Sequence, residues 1–332
     1  MKQLAALLSV IICSNAAMAQ EALDPDAAPV QNILVVGQRP GPALWKVSKG
    51  DHVMWVFGTY SPLPKKMEWR SQQVENALAQ SQELLGQPGA SFSVGWANSF
   101  NILTAAPFLI GIKKNADGAH LQDLVPAAVY TRWQLLKTKY IGDDKGIEEE
   151  RPLFAADRLY DRGLFVNGMD KGHDIPDRIE QLAKNWKIKY TSTTLTLEMD
   201  NPRAAVREFK KGRLDDVACF TKTVDRLETD LDAMKVRANA WSMGNIDAIR
   251  KLTFPDQKQS CNAAIIDSKW MGGLKGADDL RQRMRAYWFS AAEKALAANK
   301  STFAMLPMSD LLNQDGLVAA LRAKGYQIDE PD

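Results

Sequence analysis

Short β-rich segments stand near both ends of the chain, and the pattern between them is mainly helical. Ala43–Val47 and His52–Gly58 flank a turn that contains Gly50, as in a β-hairpin. Ser301–Leu306 and Tyr326–Ile328 are extended segments near the C-terminus. Strands that are distant in sequence can complete one sheet when helices connect them. We therefore predict an α/β fold with a mixed central sheet, formed by N- and C-terminal strands, and a helical middle region.

The residues between these strands carry apolar side chains at helical spacing. Helices are predicted at Ser71–Leu85, Leu121–Leu164 with an interruption at Gly142–Arg151, Asp177–Trp186, Arg203–Leu252 with a break at Met243–Asn245, Asp278–Ala298 and Gly316–Ala323. A strand is predicted within Ile188–Met199 and a loop at Gly272–Gly276.

Residues 1–19 have the three parts of a secretory signal peptide. Lys2 is followed by an apolar run at Leu4–Cys13 and by the small-residue ending Ala17–Ala19. The apolar run is shorter than the roughly 20 residues that a membrane-spanning helix needs, and no later segment is long and apolar enough to span a membrane. We predict cleavage after Ala19 and a periplasmic or secreted protein without a transmembrane segment. A lipid anchor on Cys13 is the disfavoured alternative, because the bulky Ile12 precedes that cysteine.

Residues 20–42 contain four prolines around a short apolar run, Ile33–Val36. This composition predicts a flexible lead-in with a candidate edge strand at the apolar run.

Charge and cysteine content restrict the classes of function. The chain has 42 basic and 40 acidic residues, a formal net charge of +2, and no basic stripe of the kind that binds nucleic acid. A nucleic-acid partner is therefore not expected. Only Cys219 and Cys261 remain after the predicted cleavage. An even number of cysteines in an oxidising compartment suggests a disulfide, and two buried free thiols are the alternative that stays open.

Four segments carry short motifs in a fixed order. They are Gly58-Thr59 with Pro64, Gly168-Met169-Asp170, the run Ala240–Asn245 that contains Trp241 and Gly244, and a last segment with Gly316, Leu321 and Gly325-Tyr326. Together, from about Ala43 to Ile328, they resemble the TraB/GumN (Tiki-like) family. The resemblance implies a TraB/GumN-like domain over residues 43–328. In members with the full pattern it also implies a metalloprotease site built on Gly-Thr-x-His and Gly-x-x-His motifs.

The positions at which the family has metal ligands hold other residues in this chain. Ser61 stands in place of the first histidine and Asp310 in place of the second. Gln87 stands in place of an acidic residue. Met284-Arg285 stands where the family has an Arg-Asn pair. A serine hydroxyl is a poor metal ligand, and both imidazole donors are lost. We therefore expect no metal and no other cofactor.

The resemblance places a cleft at the strand ends, lined by Gly58, Thr59, Ser61, Gln87, Arg285 and Asp310. Arg285 and Asp310 can form a charge pair that replaces the metal's positive charge. If that pair is buried, Arg285→Ala should destabilise the fold. His52, His120 and His173 are predicted to be surface residues rather than ligands.

Two functions are compatible with these residues. The first is a binding or accessory protein that keeps the cleft for an unknown ligand, peptide or protein. The alternative is a metalloprotease-like hydrolase with a rearranged site around Ser61, Gln87, Arg285 and Asp310. A nucleophilic Ser61 would need a base within reach, and the chain has no Gly-x-Ser-x-Gly elbow; the simpler interpretation of this serine is a turn before Pro62. The sequence therefore identifies no catalytic residue.

Overall fold

The computed structural model describes residues 41–93, 106–251, 257–272 and 279–331. The predicted signal peptide, the lead-in with its candidate edge strand, and most of the predicted Gly272–Gly276 loop lie outside these residues. No helix among the described residues has the length and apolar character to cross a membrane.

A six-stranded sheet is the centre of the fold. Its strands are β1 (Leu44–Lys49), β2 (His52–Thr59), β4 (Glu83–Leu85), β7 (Lys189–Thr191), β9 (Ser301–Pro307) and β10 (Gln327–Asp329). They are arranged in the order β10-β1-β2-β9-β4-β7. β2, β9, β4 and β7 run parallel, and β1 is antiparallel to both of its neighbours. The prediction of one mixed sheet made from N- and C-terminal strands is confirmed.

Two small sheets accompany the main one. β3 (Leu63–Pro64) pairs with β6 (Met169–Asp170), and β5 (Gly89–Ser93) pairs with β8 (Thr194–Glu198). The predicted strand within Ile188–Met199 is therefore two strands, β7 and β8, which belong to different sheets.

Helices fill the rest of the described chain. They are α1 (Gln72–Ala79), α2 (Leu121–Leu124), α3 (Ala127–Tyr140), α4 (Pro152–Val166), α5 (Asp174–Asn185), α6 (Pro202–Lys211), α7 (Val217–Thr229), α8 (Leu231–Ser242), α9 (Ile246–Lys251), α10 (Gln257–Ile266), α11 (Lys269–Gly272), α12 (Leu280–Ala298), α13 (Met308–Leu312) and α14 (Leu317–Ala323), with 3-10 turns at Ala106–Leu109, Ala116–Gly118 and Gly146–Glu149.

The prediction of one helix over Ser71–Leu85 was wrong in its second half. α1 ends at Ala79, and Leu84 and Leu85 lie in β4, fully buried beside β9. Two adjacent apolar residues suit a strand that is covered on both faces as well as they suit a helix. The polar residues Ser81 and Gln82 between them and α1 mark the change of element.

The region from Arg203 to Leu252 also differs from its prediction. It holds four helices, α6 to α9, instead of two long ones, although the predicted break lies where expected, between α8 and α9. At this break Gly244 has a φ of +70°, and an added Cβ would stand 2.7 Å from the carbonyl oxygen of Gly41. Any other residue at this position would be disfavoured by the positive φ and also by the clash of its Cβ with the Gly41 carbonyl oxygen.

Two large apolar cores and a small third one, made of Leu197, Met271 and Leu280, are found among the described residues. The larger core covers both faces of the main sheet and includes Val56, Leu84, Trp288 and Phe303. The second core lies among α3, α4 and α7, around Trp133 and other buried side chains of those helices. The indole Nε1 of Trp241, on α8, donates a 2.7 Å hydrogen bond to the carbonyl oxygen of Gly58, so the helical region is fastened to the carboxyl end of β2.

Candidate functional site

The carboxyl ends of the four parallel strands meet at one edge of the main sheet, the usual place for a ligand site in α/β folds. Gly58 pairs with Leu306 and Thr59 with Pro307 across β2 and β9. Because Gly58 and Leu306 are direct neighbours in the sheet, any opening must lie beyond them. We call the residues Gly58, Thr59, Ser61, Gln87, Arg285 and Asp310 the strand-end site.

Gly58 and Gly316 shape the segment that carries Asp310. A Cβ on Gly58 would stand 2.7 Å from Cδ1 of Leu311 and 2.8 Å from Cε of Met308, both on α13. A Cβ on Gly316 would stand 2.2 Å from the carbonyl oxygen of Asp310. Both motif glycines therefore let α13 pack closely against the end of β2.

Thr59 and Gln87 are in contact at this edge. The Thr59 hydroxyl lies 3.4 Å from Oε1 of Gln87 and 3.2 Å from the carbonyl oxygen of Leu306. The buried Thr193 hydroxyl lies 2.8 Å from the carbonyl oxygens of both Gly86 and Gln87. The loop after β4 is thus held by side chains from β2 and from the segment after β7.

Ser61 has a different partner. The Ser61–Pro62 peptide bond is cis. The Ser61 hydroxyl donates a 2.6 Å hydrogen bond to the carbonyl oxygen of Lys171, after β6, and the side chain lies at the surface. Ser61 therefore closes the turn between β2 and β3, in agreement with its interpretation as a turn residue.

Arg285 and Asp310 face each other, but the pair is loose. Arg285 Nη1 lies 3.9 Å from Asp310 Oδ1, and the two side chains are 42% and 25% exposed. Arg285 Nη2 also donates to the carbonyl oxygen of Asp315. Burial raises the pKa of the Asp310 carboxyl, Arg285 opposes this effect, and Asp315 adds to it. The condition of a buried pair is not met, so loss of Arg285 should cost less than about 1 kcal/mol.

The residues at the strand-end site do not suit a divalent metal. The Ser61 hydroxyl already donates a hydrogen bond to the backbone carbonyl of Lys171. Asp310 supplies only one carboxylate, and the cation Arg285 faces it. Among the described residues, no three histidine, cysteine, aspartate or glutamate side chains form a group that could hold a metal ion. Zinc needs about four such donors, or three and a water.

A buried polar network lies directly behind this site, and no motif in the sequence indicated it. Tyr60, between Thr59 and Ser61, is buried, and its hydroxyl lies 3.0 Å from Nε of Arg237. Arg237, 1% exposed, donates through Nη2 to Asp230. Nε of Arg226 lies 3.4 Å from the same Asp230 carboxylate. Two buried guanidinium groups therefore share one carboxylate.

The network continues from Arg226 to α10. Arg226 Nη1 donates a 2.9 Å hydrogen bond to Oε1 of Gln257, and its guanidinium lies 5.1 Å from the ring centroid of Tyr160. Burial raises the pKa of Tyr160 to about 12. Lys258 follows Gln257; it still reaches solvent, yet the protein around its ammonium lowers its pKa, with a further contribution from Arg226 and an opposing one from Asp310. The network adjoins the strand-end site through Tyr60, which stands between Thr59 and Ser61.

One sequence signal could have revealed this network. Met234, Arg237 and Trp241 are spaced by three and four residues on α8, and all three are buried. A charged residue on the apolar face of a helix usually has a specific partner. Its partner could not be read from the sequence, because Tyr60 is 177 residues away.

The histidines and cysteines are not among the partners of the strand-end residues described above. His120 and His173 are exposed, and His52, half-buried at the opposite end of β2, donates from Nδ1 to the carbonyl oxygen of Asn299 at 2.7 Å. Cys219 on α7 and Cys261 on α10 have Cα atoms 4.5 Å apart, a geometry compatible with a disulfide. This pair would join the two helices that carry Arg226 and Lys258.

Two surface depressions of the described chain lie elsewhere. One lies between α3 and α7, lined by Leu136 and Leu227, and the other lies beside β7, lined by Lys187 and Tyr190. The open cleft over the strand-end site stays a prediction.

Comparison with known protein families supports the resemblance that the motifs suggest. The model of the TraB/PrgY/gumN family matches residues 43–330. Neither the curated proteins nor the solved structures contain a match to this chain.

Proposed function

This chain belongs to the TraB/PrgY/gumN family, and we propose that it is an exported, non-catalytic binding or accessory protein that uses the strand-end site for a ligand. Ligand here means a small molecule, a peptide or a protein segment. The site keeps the framework that the resemblance implies and has lost the donors that metal-dependent hydrolysis requires.

The observation that carries this proposal is the role of the residues at the former ligand positions. Ser61 is engaged with the Lys171 carbonyl at 2.6 Å, and Asp310 faces the cation Arg285 at 3.9 Å. A metal at this edge would have to compete with a hydrogen bond on one side and with positive charge on the other.

The framework around these positions supports retention of the site's shape. Gly58 and Gly316 both allow close approach of the Asp310 segment, and Thr59 holds the carbonyl of Leu306 and the side chain of Gln87. These contacts depend on packing and backbone, so they do not require a metal.

The alternative of a hydrolase with a rearranged site receives no comparable support. A serine nucleophile needs an adjacent general base. The Ser61 hydroxyl donates instead to the backbone carbonyl of Lys171, and an amide oxygen is too weak a base to take the proton of a serine.

Export is part of the proposal and rests on the N-terminal sequence. The proximity of Cys219 and Cys261 is consistent with an oxidising compartment. Intact-mass analysis of the exported protein tests it: the expected mature N-terminus is Gln20, and a chain that retains Ala19 after export would contradict the predicted cleavage.

Metal content and peptidase activity test the central claim. The mature protein, purified without chelator, should contain less than stoichiometric divalent metal by mass spectrometry and should not cleave peptides. Asp310→Ala is the diagnostic variant and His52→Ala is its control, since His52 lies at the other end of β2. A stoichiometric metal and a peptidase activity that Asp310→Ala removes and His52→Ala keeps would refute the proposal.

A further inference from the structure

The outer edge of β7 carries backbone groups without a partner. β7 is the last strand of the main sheet, and β4 is the one described strand that pairs with it. The backbone N–H of Gly86 donates a 3.1 Å hydrogen bond to the carbonyl oxygen of Thr191. Because alternate residues of a strand bond to the same neighbour, Lys189 and Thr191 face β4, and the backbone of Tyr190 faces outward. Within the described chain, Tyr190 therefore presents an unpaired N–H and C=O at this edge.

The side chains of β7 do not protect this edge. The Tyr190 hydroxyl donates a 3.3 Å hydrogen bond to Oε1 of Glu180 and would lie 2.6 Å from a Cβ added to Gly86, so its ring is turned towards the end of β4. The Lys189 ammonium lies 2.9 Å from the Glu83 carboxylate on β4. Sheet edges are usually protected by a free charge or a proline. β7 has no proline, and its one charged side chain is paired.

Helix α5 carries a stripe of charged side chains beside the same edge. Asp177, Glu180 and Lys184 are spaced by three and four residues, so they lie on one face of the helix. With Lys187 they line the depression between α5 and β7, and all four are exposed. No ion pair within the described part of the chain engages Asp177, Lys184 or Lys187. The stripe is acidic in its first half and basic in its second.

Lys187 lies in the turn between α5 and β7 and has a φ of +59°. Its backbone N–H bonds to the carbonyl oxygen of Lys184 at 3.1 Å, and the N–H of Ile188 bonds to that of Ala183 at 2.9 Å. Glycine is the usual residue in a helix end of this kind. The turn itself therefore does not require a lysine, and the position adds a second ammonium group to the basic half of the stripe.

The order of these charges is self-complementary. Asp177 and Lys187 lie five residues on either side of Leu182, and Glu180 and Lys184 lie two residues on either side of it. A second copy of α5, antiparallel to the first, places Asp177 opposite the other copy's Lys187 and Glu180 opposite its Lys184. A two-fold axis repeats both contacts.

The helix and the strand can share this axis. α5 packs against β7 and is joined to it by the tight turn at Lys187, so the two run in opposite directions. Leu182 lies five residues before Lys187, about 7.5 Å along a helix, and Tyr190 lies three residues after it, about 10 Å along a strand. The two centres are at nearly the same height. One axis perpendicular to the sheet then pairs β7 with its copy through Tyr190 and places the two α5 helices antiparallel on one face.

We infer that the outer edge of β7 and the charged stripe of α5 form an interface through which two copies of this chain associate and join their main sheets into one. The inference goes beyond the proposed binding function and does not depend on it. α5 has 12 residues, about 18 Å of helix, so the contact is smaller than that of a permanent dimer. We expect a dissociation constant between about 10 µM and about 1 mM.

Sedimentation velocity of the mature protein tests the association between about 1 µM and about 1 mM. The average mass should rise from that of a monomer towards that of a dimer, and it should rise less in high salt, because salt screens exposed ion pairs. Hydrogen exchange, measured by NMR at both ends of this range, should show slower exchange of the Tyr190 amide in the concentrated sample.

Charge variants test the surface. Lys184→Glu with Lys187→Glu makes the whole stripe acidic, and Asp177→Lys with Glu180→Lys makes it basic. Each double variant should weaken self-association by about a hundredfold or more, because like charges then face each other at every contact. An equal mixture of the two should associate again, since an acidic stripe meets a basic one. That recovery would also show that both variants are folded.

Lys66→Glu with Lys211→Glu is the matched control. Both lysines are exposed and lie outside α5 and β7, and the change in net charge equals that of the acidic variant, so the dissociation constant should stay as in the wild type. Four results would overturn the inference: a monomer up to about 1 mM, unchanged association in both stripe variants, a mixture of them that stays monomeric, or a Tyr190 amide whose protection does not depend on concentration. The last result would show that the same chain covers this edge.

Discussion

Arg237 is the residue whose loss should affect the fold most strongly among the groups around the site. It is 1% exposed and joins the Tyr60 hydroxyl to the Asp230 carboxylate. Arg237→Met keeps most of the side-chain volume but leaves Asp230 with Arg226 alone, at 3.4 Å. Removal of one partner from a buried ion pair costs about 3 to 5 kcal/mol. Because Arg226 remains, we expect a cost at the lower end of that range, about 3 kcal/mol.

Equilibrium unfolding in urea measures this change, with circular dichroism as the signal and no reductant present. Arg132→Met is the control, since Arg132 also binds two carboxylates, Asp225 and Glu228, but is 36% exposed; its loss should cost less than about 1 kcal/mol. Tyr60→Phe should fall between the two, at about 1.5 kcal/mol, because it removes one hydrogen bond to a buried cation. Equal unfolding midpoints for the Arg237 and Arg132 variants would show that the network does not stabilise the protein.

Three further predictions concern the strand-end site and its surroundings. Gly316→Ala should destabilise the protein by about 1 to 3 kcal/mol through its clash with the Asp310 carbonyl, 2.2 Å from the new Cβ. Gly325→Ala, at φ +85° with open space around it, should cost only about 1 kcal/mol, and a larger effect there in urea unfolding would contradict the steric argument. Asp310→Asn should raise the urea midpoint at neutral pH, because burial raises the pKa of Asp310 and makes its ionised form unfavourable in the folded protein. This gain in stability should vanish as the pH falls below the unfolded carboxyl pKa of about 3.9, because Asp310 is then protonated in both the folded and the unfolded protein. A gain that persists in acid would contradict this explanation. Cys219 and Cys261 should resist alkylation in protein taken from the periplasm, and two reactive thiols after unfolding without reductant would show that they are not bonded.

The sheet was predictable because its strands carry strong local signals. The first two strands hold buried apolar residues that favour β-structure, and the turn between the strands contains Gly50. These residues are Trp45, Val47, Met54 and Val56. The assignment of Leu84 and Leu85 failed for a physical reason: a three-residue strand buried on both faces shows no alternation, so its pattern does not differ from the end of a helix. Pairing with the neighbouring strands β7 and β9, and not the local sequence, determines that this segment is a strand.

The strand-end site was predictable only in part, because the resemblance gives positions but not partners. Thr59 contacts Gln87 and Arg285 faces Asp310, whereas Ser61 bonds to Lys171, a residue that no motif indicates. Contacts of this kind depend on how β3 and β6 meet, and two-residue strands leave no trace in the pattern of apolar residues.

The glycine framework and the positions at which the resemblance implies metal ligands contribute differently to stability. Gly58 and Gly316 are fixed by close packing, since any added Cβ would meet α13 or its backbone within 3 Å. Ser61, Arg285 and Asp310 are exposed or half-exposed, so their replacement costs little folding free energy. The buried cations behind them are the opposite case, because Arg237 is both enclosed and charged. A chain under selection for stability alone would lose such a network more readily than an apolar core, since apolar residues of similar volume are often equally or more stabilising. Loss of one member alone leaves a buried charge without its partner, so single substitutions in this network should cost more folding free energy than substitutions at Ser61, Arg285 or Asp310.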